Sequence, residues 1–191
     1  MTGSMSRDEV RSLLRDAAAA GDALVRIGRH RLEPASTFSV GYVAALGETL
    51  VVLNKVSDRI DLDGFELLRL DDVTSVAADF PARAFYQEAL ALKGIERQPL
   101  KTISLDSLPD AIRTIDAQYP AIVLDRERAA PDEVAVGRVA ELLRTGIKLR
   151  WLSPTASWEP DRTLYRYADI TRVEFDGEYE NTLALVAGSP H

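Results

Sequence analysis

Apolar residues along this chain fall into two spacings, one helical and one alternating. Val10, Leu13, Leu14 and Ala17 recur at helical intervals behind Ser6 and the acidic pair Asp8/Glu9, and Gly21 ends the run. That pattern predicts a helix over residues 6–20. The spacing then changes to alternation over residues 23–32, where Val25 and Ile27 are set against Arg26, Arg29 and Arg31, as in a strand with one solvated face. Further strands are predicted over 37–46, 49–56, 65–70 and 73–78, separated by turns at Gly47-Glu48, Asp61–Gly64 and Asp71-Asp72. A helix over 81–93 follows, with Phe85, Ala89 and Leu92 on one face.

The same order is then repeated. Ser107-Leu108-Pro109 suits a helix start, and Ala111, Ile112 and Ile115 form its apolar stripe. Strands are predicted over 120–128, 133–143, 147–152, 163–167 and 170–175, and a closing helix over 178–186. The copies match residue by residue as well. Between Leu67 and Asp79, six of thirteen positions recur unchanged 97 residues later: Leu67/Leu164, Arg69/Arg166, Asp72/Asp169, Thr74/Thr171, Val76/Val173 and Asp79/Asp176. Upstream the offset slips to 96, where Gly41 matches Gly137. Such a repeat predicts two similar small domains, at 6–93 and 107–187, joined by a linker at 94–106. The expected class is mainly β with flanking helices (α+β), as two tandem five-stranded small barrels. Five short strands with frequent turns are most economically packed as a bent sheet closed on itself.

The element order, the glycine pair Gly41/Gly137 and the Asp72-Val73-Thr74/Asp169-Ile170-Thr171 segments resemble Sm-like and SH3-like barrels. They are closest to bacterial proteins with paired Sm-like barrels, and the resemblance implies binding, not a defined reaction. Two Sm RNA-binding signatures are missing. Asn54 is preceded two places earlier by Val52 where an Asp would stand, and the segment 56–76 has no Arg-Gly pair.

Composition narrows the function. With 46% hydrophobic and 28% charged residues the chain can form packed cores. Its net charge of −7 divides into −3 for residues 1–98 and −4 for 99–191, so neither half is a basic arm and a nucleic-acid partner is not expected. An acidic protein is steered toward basic protein or peptide partners. No cysteine is present, which excludes disulfides and thiolate chemistry. No run is apolar enough for a membrane span and the N-terminal residues lack a signal-peptide core, so a cytoplasmic, non-membrane protein is expected.

Candidate chemistry is sparse. Asp61, Asp63 and Gly64 suggest a calcium loop, but that register puts Arg59 and Leu70 at the essential carboxylate positions. No metal ligand set and no cofactor motif is found; His30 and His191 stand alone. Asp72, Asp169, Thr74, Thr171, Gly41 and Gly137 read as structural positions, because both copies retain them. Arg29 with Arg31, and Arg126 with Arg128, are spaced to form basic strips on one strand face, for an anionic ligand or an acidic surface. The second copy alone carries Trp151, Trp158, Tyr165 and Tyr167, against Asn54, Asp61, Leu68 and Leu70 at the 97-residue offset. These aromatics suit either a peptide groove or a core. The leading expectation is a non-enzymatic interaction or scaffold protein that binds a protein or peptide and self-associates. Two alternatives remain: an Sm-like RNA-binding protein, and a carboxylate enzyme or small-ligand binder at an interdomain cleft.

Overall fold

The computed structural model describes residues 4–34 and 37–189. The chain divides into two compact units, Met1–Leu100 and Lys101–His191. The described residues are mainly β, with four α-helices and open antiparallel sheet. In the first unit α1 (Arg7–Ala20) precedes β1 (Leu24–Gly28), β2 (Ser39–Leu46), β3 (Leu50–Val56) and β4 (Leu62–Arg69). A 3-10 turn (Leu70–Asp72), β5 (Ser75–Ala77) and α2 (Arg83–Leu92) complete it. The second unit has α3 (Leu108–Asp116), β6 (Ile122–Arg126), β7 (Ala130–Leu142), β8 (Gly146–Leu152), β9 (Trp158–Arg166), β10 (Arg172–Phe175) and α4 (Glu178–Ala187). Strand order is β5-β1-β2-β3-β4 in the first and β10-β6-β7-β8-β9 in the second. The topologies are therefore the same.

Local chemistry sets the helix starts. Ser6 Oγ accepts from Glu9 N–H at 3.3 Å while the Glu9 carboxylate accepts from Ser6 N–H at 2.8 Å, a reciprocal cap on α1. Ser107 Oγ accepts from Asp110 N–H at 3.2 Å at the start of α3, where Pro109 occupies the first turn and needs no donor. The buried stripe of α1, Val10, Leu14 and Ala17, packs on Val25, Ile27, Val51, Leu53 and Leu68. Leu24 and Val56 face the other way, onto Phe80 and Leu90. Both faces of β1 are thus covered, which is why its residues do not alternate cleanly. Each fully buried aliphatic side chain here contributes about 1.5–3 kcal/mol. In the second unit α3 lies against β7, while Leu183 and Ala184 of α4 cover Ala121 and Leu152. No helix among the described residues is long and apolar enough to cross a membrane.

Backbone irregularities repeat too. A one-residue slip falls between Val43 and Ala45 on β2, and between Val139 and Glu141 on β7. Just before each, a glycine lies close against the next strand. A Cβ added at Gly41 would stand 2.4 Å from the Asn54 carbonyl oxygen, and at Gly137 2.1 Å from that of Arg150. The β3–β4 and β8–β9 turns share an unusual residue: Ile60 and Ala156 adopt φ of 58° and 54°, and each donates its N–H to a serine carbonyl three residues back, at 2.9 Å.

Several boundaries differ from the pattern-based expectation. β1 stops at Gly28 and β6 at Arg126, because turns closed by Leu32 N–H to Arg29 O and Ala129 N–H to Arg126 O, both 2.8 Å, take over there. β4 continues through Asp63 and Gly64, where Gly64 takes a φ of 68°. β9 begins at Trp158, upstream of the expected Thr163; Pro160 is tolerated because β9 is the last strand of its sheet.

Candidate functional site

The residues retained in both copies build equivalent brackets. Thr74 Oγ1 donates to Gly28 O at 2.9 Å and accepts from His30 N–H at 3.0 Å. Thr171 Oγ1 donates to Asp125 O at 3.1 Å and accepts from Glu127 N–H at 3.1 Å. Each hydroxyl fastens the end of the sheet's first-copied strand to the segment before its last. Asp72 closes the 3-10 turn and is buried, whereas Asp169 is half-buried in the corresponding turn, where its N–H donates to Arg166 O at 3.0 Å.

The expected basic strips do not form, because neither pair lies wholly on a strand. Arg29 sits in the turn after β1, fully buried and ion-paired with Glu33, while Arg31 is exposed and donates to Ser4 Oγ at 3.3 Å. Arg126 ends β6, pairs with Glu133 at 2.9 Å and lies 4.9 Å above the Tyr165 ring; Arg128 is exposed in the turn beyond.

The aromatic residues are mostly packed. Tyr165 and Tyr167 are buried. Burial pushes the Tyr165 phenol up, against the opposing effects of the Trp151 hydrogen bond and Arg126; burial, with Asp110 nearby, raises Tyr167 as well. Trp158 is half-buried beside Leu152 and Leu183, and its indole N–H donates to Gly188 O at 2.8 Å. Flanking Ser153, Pro154, Ser157 and Pro160 suggest an exposed turn for Trp158, but it opens strand β9 instead. Trp151 remains 37% exposed, with its indole N–H on the Tyr165 hydroxyl at 2.7 Å. Strand register also corrects the pairing of the copies. Trp151 lies opposite Gly137 as Lys55 lies opposite Gly41, so Lys55, not Asn54, is its counterpart. Trp158 opposite Leu152 likewise matches Leu62 opposite Val56.

Register brings together three residues that pattern reading missed. Arg138 on β7 is opposite Arg150 on β8, and Arg150 is opposite Arg162 on β9. Directly opposed residues share a sheet face at about 5 Å between Cβ atoms, so the three arginine side chains leave the sheet in one row. The first copy has Tyr42, Asn54 and Phe65 at these places. Arg138 is held by Asp116, through the main-chain carbonyl at 2.9 Å and the carboxylate at 3.6 Å. Arg150 donates to Glu159 O at 3.0 Å, and Arg162 is the exposed member. A signal was present: the three arginines are spaced by 12 residues, the repeat length of consecutive hairpin strands. The row ends at β9, whose residues 159–164 are all exposed and whose outer edge pairs with no strand among the described residues of its unit.

Comparison with protein families, with curated proteins and with solved structures finds no match. The function therefore rests on geometry. Strand β9 offers backbone donors and acceptors along its edge, and the adjoining row offers cationic hydrogen-bond donors. Together they can hold an extended, anionic segment.

Proposed function

We propose that the chain is a non-enzymatic binding protein made of two small, bent, Sm-like barrels, and that its second unit binds an extended acidic segment of a partner protein along β9. The strand order, paired slips and close glycine contacts support the barrel reading of each unit. The observation that carries the function is the Arg138–Arg150–Arg162 row ending at an exposed sheet edge. A strand added at that edge gains main-chain hydrogen bonds, and its Asp or Glu side chains meet Arg162 first. This local surface selects against the chain's overall acidity. A basic partner would be steered to the molecule at large, but an acidic segment fits this face.

The test is fluorescence anisotropy of a labelled peptide of alternating Glu and Val, beside a labelled single-stranded RNA of equal charge. Saturable peptide binding is expected, weakening with salt and reduced by about tenfold in Arg162→Ala, the effect of one charge-assisted contact. No peptide binding at low salt, or equal binding by Arg162→Glu, would refute the reading. Retention of the RNA alone would put the RNA-binding alternative in its place.

A further inference from the structure

The first unit contains a cavity of about 440 Å³, lined by Ala18, Tyr42, Val43, Asn54, Arg97 and Pro99 among others. A volume of that size suits a small molecule. Its chemistry is legible because the second unit shows the same place filled. Gly21 N–H closes on Ala17 O as Tyr119 N–H closes on Ile115 O, which makes Ala18 the counterpart of Asp116. The slips in β2 and β7 likewise make Val43 the counterpart of Val139, and Tyr42 that of Arg138.

In the second unit the Asp116 carboxylate reaches from α3 to accept from Val139 N–H at 2.8 Å, beside the Arg138 guanidinium. In the first unit Ala18 has no such group. The cavity opens there, and its charged lining residue is a cation, Arg97, whose guanidinium lies 4.7 Å over the Tyr42 ring and donates to Gly21 O. Asn54 adds an independent sign. It is 4% exposed, its Nδ2 donates to Gly64 O at 2.8 Å, and its Oδ1 has no hydrogen-bond partner among the described residues. A buried acceptor without a donor is destabilising, and a ligand donor would relieve it.

We infer that this cavity binds a small organic carboxylate carrying a neighbouring hydroxyl or ammonium group. The ligand carboxylate takes the place that the Asp116 side chain fills in the second unit, against Arg97 and the Val43 backbone, and its donor faces Asn54. This site is separate from β9 and does not depend on the peptide reading.

Glycolate is the probe, titrated into the whole chain at constant ionic strength against sodium chloride, with backbone amide shifts followed by NMR. Saturable shifts are expected at Tyr42, Val43, Ala44 and Arg97. Arg97→Gln should weaken them by about tenfold, and Ala18→Asp, at an exposed helix position, should abolish them by supplying the carboxylate covalently. The reciprocal variant Asp116→Ala should create glycolate-dependent shifts at Arg138 and Val139. Shifts that chloride reproduces, or that persist unchanged in Ala18→Asp, would overturn the inference.

Discussion

Threonine and valine are nearly equal in volume, so replacing one by the other at Thr74 or Thr171 removes a hydroxyl and little else. Each hydroxyl both donates to and accepts from the main chain, and Thr74 and Thr171 are buried. Thr74→Val and Thr171→Val are each expected to cost about 1 kcal/mol, because the half-buried N–H groups of His30 and Glu127 lose their acceptor, while the Gly28 and Asp125 carbonyls keep the main-chain bond from residue 74 or 171. Urea unfolding monitored by circular dichroism measures this, and two losses of similar size are expected from the matching geometry. The sequence showed these residues as identical letters at a fixed offset. Their reason was not visible there, because the partners are backbone atoms of Gly28, His30, Asp125 and Glu127, residues with nothing in common as side chains. Arg29 illustrates the opposite case. Its spacing suggested a solvated strip, but a turn rotates it into the protein beside Glu33.

Among the elements, helices α1 and α3 were the most legible, because capping serines and apolar stripes are local signals, whereas in α2 the expected stripe is not the packed face: Phe85 and Leu92 are exposed and Leu90 is buried. The succession of elements along each unit followed from the repeat, but register did not. A single extra residue on β2 and β7 shifts every later pairing, and composition carries no mark of it. The arginine row, the unit-one cavity and the counterpart of Trp151 all depend on that slip. Helix α3 adds a pH-dependent contact. Burial raises the Asp116 carboxyl above its ordinary 3.8, against the opposing effects of Val139 N–H and Arg138. The folded state therefore holds this proton more tightly than the unfolded chain does. Its contribution to stability is fully present below the ordinary carboxylate range and is lost as pH rises through the raised value. Asp116→Asn should remove that slope, so that thermal unfolding of variant and parent diverges in the variant's favour from about pH 4 upward. Midpoints that differ by a constant amount across the range would contradict it.

For the whole molecule, the duplication means that every strand has a twin at the same place in the strand order. Chains of this kind can fold into wrong pairings in which one unit borrows a strand from the other. The contrast between Tyr42-Asn54-Phe65 and Arg138-Arg150-Arg162 bears on that hazard. If β8 replaced β3, Arg150 would enter the position where Asn54 is 4% exposed, and if β9 replaced β4, Arg162 would enter that of Phe65, 2% exposed. A guanidinium placed there without a partner is strongly disfavoured. The double variant Arg150→Asn/Arg162→Phe, which erases the contrast, is expected to refold from urea with a larger slow or aggregated fraction than the parent, as read by stopped-flow fluorescence and light scattering. That outcome would give the arginine row a role independent of any partner: marking which copy a strand belongs to, so that two units of the same strand order do not exchange parts.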